Sequence, residues 1–328
     1  MTNHLAQQIM AGDRRALARG ITLVESTRAD HRQQASELLE QIMPATGNSL
    51  RLGISGAPGV GKSTFIEALG NDLTERNHRV AVLAVDPTSA LSGGSILGDK
   101  TRMETLAVNA NAFVRPSPAG KTLGGVARHT REALLVCEAA GFDCIIVETV
   151  GVGQSETMVA EMTDMFLLLL SPGGGDDLQG IKRGIMELTD LLLVNKADGD
   201  QVALAKQTVS DYRAGLQFMQ ARSQHWTPQI MSCSALEKQG LEQVIEVIEQ
   251  FQHSLSNSGE LATARAEQAR AWMWSETAQS LIADLKQHPA IDSMAVQLEQ
   301  AVRDGSIPPT VAAERLIAHY KSQHKSQH

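Results

Sequence analysis

The chain alternates between short, mainly apolar runs and longer segments in which apolar and polar residues are mixed. Short apolar runs that end in small or polar residues are typical of strands buried on both faces of a parallel sheet. The pattern predicts strands at 50–55, 79–85, 144–147, 166–170, 191–194 and 229–232. It predicts intervening helices at 64–73, 122–140 and 241–251. This alternation indicates an α/β fold with a mostly parallel sheet flanked by helices.

A helical pattern precedes the first predicted strand. Residues 4–43 are rich in Ala, Gln, Glu, Arg and Leu, with apolar residues at helical spacing. Asp13 and Asp30 are predicted helix caps, while Gly20 and Pro44 are predicted interruptions or stops. We expect a helical extension that packs beside the sheet domain.

The C-terminal region also has helical spacing. The small and polar segment 254–259 predicts a linker. Helices are predicted at 260–287, around 291–302 and at 311–320, and residues 321–328 are predicted to be disordered. The predicted organisation is a helical N-terminal extension at 1–45, a nucleotide-binding domain at 46–255 and a helical dimerisation region at 259–328.

A stripe of mainly small residues supports the dimer prediction. Its members recur at helical spacing and suit close helix packing: Ala262, Ala266, Ala269 and Met273. Packing of this stripe on its own domain is the alternative.

Composition excludes several classes of function. A hydrophobic fraction of 42% in 328 residues allows a sizeable core, and the net charge of −8 disfavours nucleic acid as a partner. The apolar runs are too short to span a bilayer, and residues 1–4 do not begin the basic-then-apolar pattern of a signal peptide. We therefore expect no membrane association. Cys137, Cys144 and Cys233 form no C-x-x-C pair, so we expect reduced thiols and a cytoplasmic protein.

One motif gives the strongest chemical signal. The sequence G-x-x-x-x-G-K-[ST] lies between a predicted strand and a predicted helix, which is the context of a phosphate-binding loop. Glycines let the backbone turn its N–H groups toward phosphate oxygens, the lysine reaches the β- and γ-phosphates, and the serine hydroxyl binds Mg²⁺. The residues of this phosphate loop are Gly56, Ala57, Pro58, Gly59, Val60, Gly61, Lys62 and Ser63, and Thr64 follows them in the predicted nucleotide-binding set.

A second motif indicates guanine. Asn195, Lys196 and Asp198 fit N-K-x-D directly after a predicted strand. A carboxylate at Asp198 can accept hydrogen bonds from the ring N–H and the exocyclic amine of guanine, whereas adenine would leave it desolvated and unpaired. The run Ser234, Ala235 and Leu236 resembles the S-A-[KL] loop, whose backbone N–H donates to the guanine carbonyl. GTP is therefore predicted in preference to ATP.

Carboxylates at the ends of predicted strands suggest a metal site. Glu148 begins a D/E-x-x-G element in which Gly151 would meet the γ-phosphate. Asp86 and Asp99 are further candidates, since Mg²⁺ prefers oxygen ligands. A solvated or turn-forming role is the alternative for each carboxylate. Val152 follows Gly151 where many small GTPases have a water-orienting Gln, so we expect slow hydrolysis that a partner accelerates.

These motifs, together with the run 93–103 and the sequence 148–156, resemble those of the MeaB/ArgK family across nearly the whole chain. The family comprises P-loop GTPases that act as chaperones of adenosylcobalamin-dependent methylmalonyl-CoA mutase. The resemblance implies a homodimer, Mg²⁺ with GTP or GDP, and a mutase that stimulates hydrolysis. It also implies that Asp86, Asp99 and Glu148 serve the metal.

The resemblance further implies that segment 177–184 couples nucleotide state to the partner. Asp177 departs from the Glu of many relatives, which puts individual roles in this segment in question. Lys182, with Arg183 beside it, is a candidate for stabilising the transferring phosphate once a partner orders it.

Three other functions are compatible with parts of the sequence. A nickel-delivering metallochaperone GTPase would need Cys and His residues near the nucleotide, and the three cysteines are scattered. An ATP-dependent kinase is disfavoured by N-K-x-D, and a non-enzymatic scaffold by the intact phosphate loop.

Overall fold

A seven-stranded parallel sheet lies at the centre of the computed structural model, which describes residues 2–85, 103–116, 123–149, 155–173, 183–216 and 222–325. The spatial order of the strands is β3-β2-β4-β1-β5-β6-β7. Their bounds are β1 Leu50–Gly56, β2 Val80–Val85, β3 Ala112–Arg115, β4 Cys144–Thr149, β5 Met165–Leu170, β6 Leu191–Val194 and β7 Gln229–Ser232. The α/β prediction with a parallel sheet is confirmed.

Side chains alternate between the two faces of the sheet, and each face is covered by helices. One face, which includes Leu52 and Ile54, packs against α4, α5 and α10. The other face, which includes Ile145 and Val147, packs against α1–α3, α6 and α7. The bounds of these helices are α1 Thr2–Met10, α2 Arg14–Val24, α3 Ala29–Ile42, α4 Lys62–Glu75, α5 Glu104–Val108, α6 Leu123–Ala139, α7 Ser155–Ala160 and α10 Leu241–Asn257.

The protein consists of two compact units, Met1–Ala266 and Glu267–His328. The predicted N-terminal extension falls in the first unit, with the sheet. The remaining helices are α8 Arg183–Met186, α9 Val202–Leu216, α11 Glu260–Gln287, α12 Pro289–Arg303 and α13 Pro309–Lys325. Among the described helices, none is long and apolar enough to cross a membrane.

The N-terminal helices confirm one predicted cap and correct two other predictions. Asp13 caps α2, because its Oδ1 accepts hydrogen bonds from the N–H groups of Arg15 and Ala16. Asp30 is not a cap: it lies in the first turn of α3 and pairs with Arg28, the residue at the N-cap position. Gly20 does not interrupt a helix but lies inside α2, where a Cβ atom would come within 2.7 Å of the Ile9 side chain. Its small size permits this close packing.

The predicted linker at 254–259 is wrong. Helix α10 continues to Asn257, because Leu255 is buried in the core and Ser254 Oγ donates to the carbonyl oxygen of His225 at 2.8 Å. Helix α11 begins at Glu260, so only two residues separate the helices.

The first turns of α11 are joined to the sheet by a buried ion pair. Arg265 donates to both carboxylate oxygens of Asp164, at 2.8 and 2.6 Å. Asp164 also accepts the Arg51 N–H of β1 at 2.8 Å, and its side chain is 1% exposed. Residues up to 265 therefore belong structurally with the sheet.

The second unit contains the rest of α11 together with α12 and α13. Leu298 of α12 and Ala312 of α13 are buried, and the rings of His288 and Tyr320 contact each other edge to face at 5.5 Å. The tail prediction is wrong for residues 321–325, because α13 continues to Lys325.

Candidate functional site

The phosphate loop lies between β1 and α4, at the edge of the sheet where the parallel strands end. Ligands of open α/β sheets bind at this edge. Gly61 is the N-cap of α4 and has φ 92°, and a Cβ atom there would lie 2.7 Å from Asn195 Nδ2. Gly56 approaches β5 so closely that a Cβ atom would lie 2.6 Å from the Leu169 carbonyl oxygen. Larger residues would therefore distort the loop at both positions.

Side chains hold the carbonyl groups of the phosphate loop. Lys62 Nζ donates to Gly56 O at 2.6 Å and is 3.4 Å from Ala57 O. From outside the loop, Lys196 Nζ donates to Gly59 O at 2.7 Å and Asn195 Nδ2 donates to Val60 O at 2.9 Å. Because a trans peptide directs the following N–H away from its carbonyl, these contacts also fix the direction of N–H groups in the loop.

The N-terminus of helix α4 adds positive electrostatic potential to that of the Lys62 ammonium. Its N-cap Gly61 has no capping side chain, and the first N–H groups of a helix have no acceptor in a preceding turn. Lys62 and Ser63 lie partly buried in the first turn, and Thr64 is exposed. Oriented backbone N–H groups at a helix start form an anion site, which suits the phosphates of a nucleotide.

Asn195 connects the two predicted nucleotide-binding motifs. Its amide nitrogen reaches Val60, and its Oδ1 accepts the Ala235 N–H at 3.1 Å. Cys233 Sγ lies 3.8 Å from the same oxygen. Asn195 is itself buried, so its amide is committed to protein contacts that hold the phosphate loop and residues 233–235 together.

Asp198 and Ser234 form the outer part of this arrangement. Ser234 Oγ donates to Asp198 Oδ2 and also accepts the Glu237 N–H at 3.0 Å. Each carboxylate oxygen can accept more than one hydrogen bond, so this contact orients Asp198 while leaving it able to accept from a ligand. The Leu236 side chain is 74% exposed beside this loop.

Glu148 lies near the end of β4 on the face of the sheet that carries α4. It is 5% exposed and stands opposite Ile54 of β1 and Ala84 of β2 in the register. A buried carboxylate on the phosphate-loop side, with the Ser63 hydroxyl in the first turn of α4, fits the oxygen-rich chemistry that Mg²⁺ requires.

Four predicted site residues lie outside the described residues: Asp86, Asp99, Gly151 and Lys182. Asn195 and Lys196 contact Val60 and Gly59 of the phosphate loop, within which Lys62 contacts Gly56. Asn195 also contacts Ala235, and Asp198 contacts the neighbouring Ser234. Within the described part of the chain, no group of three or more His, Cys, Asp or Glu side chains is placed to hold a metal ion.

The cysteines do not form a second site. All three are buried and free. Burial raises the pKa of the Cys137 thiol, and it raises the pKa of Cys144 and of Cys233 to about 12. Such thiols are poor sources of the thiolate that binds nickel or zinc.

Sequence analysis missed two buried hydroxyl groups at this edge, those of Ser55 and Thr149. Thr149 Oγ1 donates to Ser55 Oγ at 2.9 Å. The available signal was a hydroxyl residue at the end of two mainly apolar runs, 50–55 and 144–149.

Comparison with known proteins places these features in a family. A family model described as methylmalonyl-CoA mutase-associated GTPase MeaB matches residues 17–290. A protein of Caulobacter vibrioides whose name describes it as a GTPase is 55% identical over 314 residues, covering 96% of both chains. The mitochondrial methylmalonic aciduria type A homolog of Mus musculus is 45% identical over 326 residues, covering 96% of this chain and 79% of its own length.

A solved structure supports the fold over the full length. The crystal structure of a protein named LAO/AO transport system kinase superposes with a TM-score of 0.78 at 36% sequence identity. The match covers 98% of this chain and 97% of the other. The central sheet and both helical ends therefore have a solved counterpart.

Proposed function

Because this chain belongs to the MeaB family of methylmalonyl-CoA mutase-associated GTPases, we propose that it is a Mg²⁺-dependent GTP hydrolase that regulates a methylmalonyl-CoA mutase. The observation that carries the proposal is the physical link between the phosphate loop and the N-K-x-D motif through Asn195 and Val60. This link supports the proposal because it holds the phosphate loop and the N-K-x-D motif together at one edge of the sheet.

The nucleotide lies along this edge in the proposed complex. Its phosphates meet the backbone N–H groups of residues 56–64 and the Lys62 ammonium, while guanine donates to the Asp198 carboxylate. Asn195 and Lys196 hold the loop, and the backbone of residues 234–236 lies next to the base. Lys62 must exchange its carbonyl contacts for phosphate oxygens, which offer the stronger charge-assisted hydrogen bond.

The proposed metal site uses Ser63 and Glu148 together with Asp86 and Asp99. Mg²⁺ bound there would neutralise charge that develops on the phosphates during transfer. Glu148 stands opposite Ile54, on the face of the sheet that packs against α4, and Ser63 lies in the first turn of that helix, which supports this assignment. Gly151 is proposed to donate its N–H to the γ-phosphate.

Hydrolysis is proposed to be slow without the mutase. Val152 cannot orient a water molecule as the Gln of small GTPases does. A mutase that orders Lys182 near the transferring phosphate would supply the missing charge stabilisation. The role of the GTPase is then to couple nucleotide state to loading, protection or reactivation of the cobalamin enzyme.

A homodimer is proposed through α11. The residues Ala262, Ala266, Ala269 and Met273 are all exposed on this helix. Met273 is 54% exposed and the adjacent Trp274 is 61% exposed, so α11 presents apolar surface suited to a second copy.

A binding experiment tests the mutase partnership. The GTPase is immobilised with GDP or with a non-hydrolysable GTP analogue, and purified methylmalonyl-CoA mutase is passed over it. We expect the two nucleotide states to bind mutase with different affinity, because coupling between nucleotide and partner is reciprocal. Absence of mutase binding in both states contradicts the partnership.

A further inference from the structure

Two buried hydroxyl groups join β1 and β4 at the base of the phosphate loop. Thr149 Oγ1 donates to Ser55 Oγ at 2.9 Å, and the two residues are 0% and 1% exposed. We call them the hydroxyl pair. Contact with solvent does not explain their polarity, and the preceding core positions of both strands are mainly apolar.

The hydroxyl pair links β1 to β4 by a side-chain hydrogen bond just beyond the last residues that are paired through their backbones. The register of β1 with β4 extends to Ile54 opposite Glu148. The next residue of each strand is a member of the pair. On its other side, β1 remains paired with β5 as far as Gly56. The hydrogen bond therefore fixes β4 against β1 at the level where the phosphate loop begins.

The pair faces the side of the sheet opposite Glu148. Residues 145 and 147 of β4 belong to the core beneath α6 and α7, so Thr149 shares that face, while Glu148 faces α4. The pair is thus separated from the proposed nucleotide by the strands themselves. In the proposed complex the pair therefore contacts neither the phosphates nor the metal, and it acts by positioning the strand ends.

Positioning of these two strand ends matters differently for GDP and GTP. The phosphate loop, which follows Ser55, binds the phosphates that both nucleotides share. The strand end at Glu148, with Gly151 two residues after Thr149, is proposed to serve the metal and the γ-phosphate. Of the two nucleotides, only the triphosphate has a γ-phosphate to meet Gly151 while its other phosphates bind the loop, so its binding depends more strongly on the spacing between the two elements.

We propose that Ser55 and Thr149 are positioning residues that set the distance between the phosphate loop and the Glu148 strand end, and that they thereby favour GTP over GDP. This inference rests on the proposed function.

Three variants and a matched control test the proposal. Thr149→Val removes the donor with little change of shape, Thr149→Ser retains a hydroxyl, and Ser55→Ala removes the acceptor. Thr163→Val is the control, because Thr163 is also buried and its hydroxyl donates to Val159 O at 2.8 Å. Thr163 precedes the first residue of β5 and so lies at the end of the sheet away from the phosphate loop. Affinities for GDP and for a non-hydrolysable GTP analogue are measured with Mg²⁺ by displacement of a fluorescent nucleotide.

We expect Thr149→Val and Ser55→Ala to weaken binding of the GTP analogue about tenfold, equivalent to about 1.4 kcal/mol, with GDP affinity changed less than about twofold. Thr149→Ser, which keeps the hydroxyl, should retain the wild-type preference for the GTP analogue over GDP. Thr163→Val should leave the ratio of the two affinities unchanged even where it lowers thermal stability.

Two results would overturn the proposal in distinguishable ways. In the first, the wild type prefers the GTP analogue, and Thr149→Val and Ser55→Ala keep that preference or lose no more of it than Thr163→Val does. The pair then has no positioning role, and the proposed function stands. In the second, the wild type binds ATP as tightly as GTP, and the proposed function and this inference both fail. Should Thr149→Val not fold, the double variant Ser55→Ala/Thr149→Val, which leaves neither hydroxyl unpaired, provides the same comparison.

Discussion

Asn195 Nδ2 donates to the carbonyl oxygen of Val60 at 2.9 Å and so ties the N-K-x-D motif to the phosphate loop over 135 positions of sequence. The other end of the same amide accepts the Ala235 N–H. One buried side chain therefore aligns the parts of the site proposed for the phosphates and for the base.

Replacement of Asn195 by Ala should weaken nucleotide binding by about 10- to 100-fold. The estimate follows from the loss of two hydrogen bonds, each worth about 1 kcal/mol, and from the loss of loop alignment. Calorimetric titration with GDP measures the change. Asn257→Ala is the control, because Asn257 is exposed at the end of α10 and contacts only His253 among the described hydrogen bonds of its side chain. Equal GDP affinity in both variants would contradict the role of Asn195.

Asp198→Asn should move base preference from guanine toward xanthine. The amide can donate where the carboxylate only accepts, and xanthine offers a carbonyl in place of the exocyclic amine of guanine. We expect GDP affinity to fall on the order of 10²-fold or more and xanthosine diphosphate to bind more tightly than GDP. Competition between the two diphosphates measures this directly, and a variant that retains its guanine preference would show that Asp198 does not read the base.

Truncation should separate assembly from nucleotide binding, but the position of the cut matters. A chain ending at Ala266 keeps the Arg265–Asp164 ion pair and should be a folded monomer that binds GTP. A cut after Asn257, which lies within the linker predicted from sequence at 254–259, would leave Asp164 buried without its guanidinium partner and should cost about 3–5 kcal/mol of unfolding free energy. Arg265→Ala should reproduce most of this loss in the full chain.

Light scattering and urea unfolding measure these effects. A full-length chain that is monomeric at micromolar concentration would contradict the proposed dimer. Equal stability of the two truncated chains would show that the ion pair contributes little.

Asp190 should make stability depend on pH in an unusual direction. Burial raises the pKa of its carboxyl group to about 6, although Arg222 and the Phe166 N–H act in the opposite direction. The folded protein therefore binds the proton more tightly than the unfolded chain does. Its contribution to stability is present below the unfolded pKa of about 4 and is lost as pH rises through about 6.

Comparison with Asp190→Asn isolates this effect. Relative to that variant, the wild type should lose about 2 to 3 kcal/mol of unfolding free energy between about pH 4 and pH 7. Urea unfolding of both proteins across this range gives the difference curve, in which contributions of other groups cancel. A flat difference would show that Asp190 is ionised normally in the folded protein.

Much of the sheet could be predicted because its strands are continuous apolar runs. Helix-covered parallel strands need apolar side chains on both faces, and this pattern predicted 144–147 and 166–170 without any knowledge of their neighbours, close to the observed Cys144–Thr149 and Met165–Leu170. Strand β3, with the sequence Ala-Phe-Val-Arg, was missed because four residues at the sheet edge with a charged end carry little periodicity. Helix α9 was missed because its apolar residues are not confined to one face: Val202 and Leu204 are exposed, whereas Ala205 and Tyr212 are buried.

Contacts between distant residues could not be predicted in the same way. The motifs identified Asn195, Lys196 and the phosphate loop as separate elements, but nothing in the sequence indicates that both side chains donate to loop carbonyls. The predicted linker failed for a similar reason. Ser254 reads as a linker residue by composition, whereas its hydrogen bond to His225 becomes visible only in the folded chain.

The most direct test of the account is steady-state GTP hydrolysis with Mg²⁺, measured with and without methylmalonyl-CoA mutase, for the wild type and for Lys182→Ala. An ordered basic residue raises GTPase rates by ~10³–10⁵ in general, so stimulation of the wild type should be readily measured. We expect mutase to accelerate the wild type, and Lys182→Ala to lose most of that acceleration while retaining its GTP affinity. Unchanged stimulation of Lys182→Ala would exclude that residue, and a wild-type rate that mutase does not alter would contradict the central claim that this chain is a mutase-regulated GTPase.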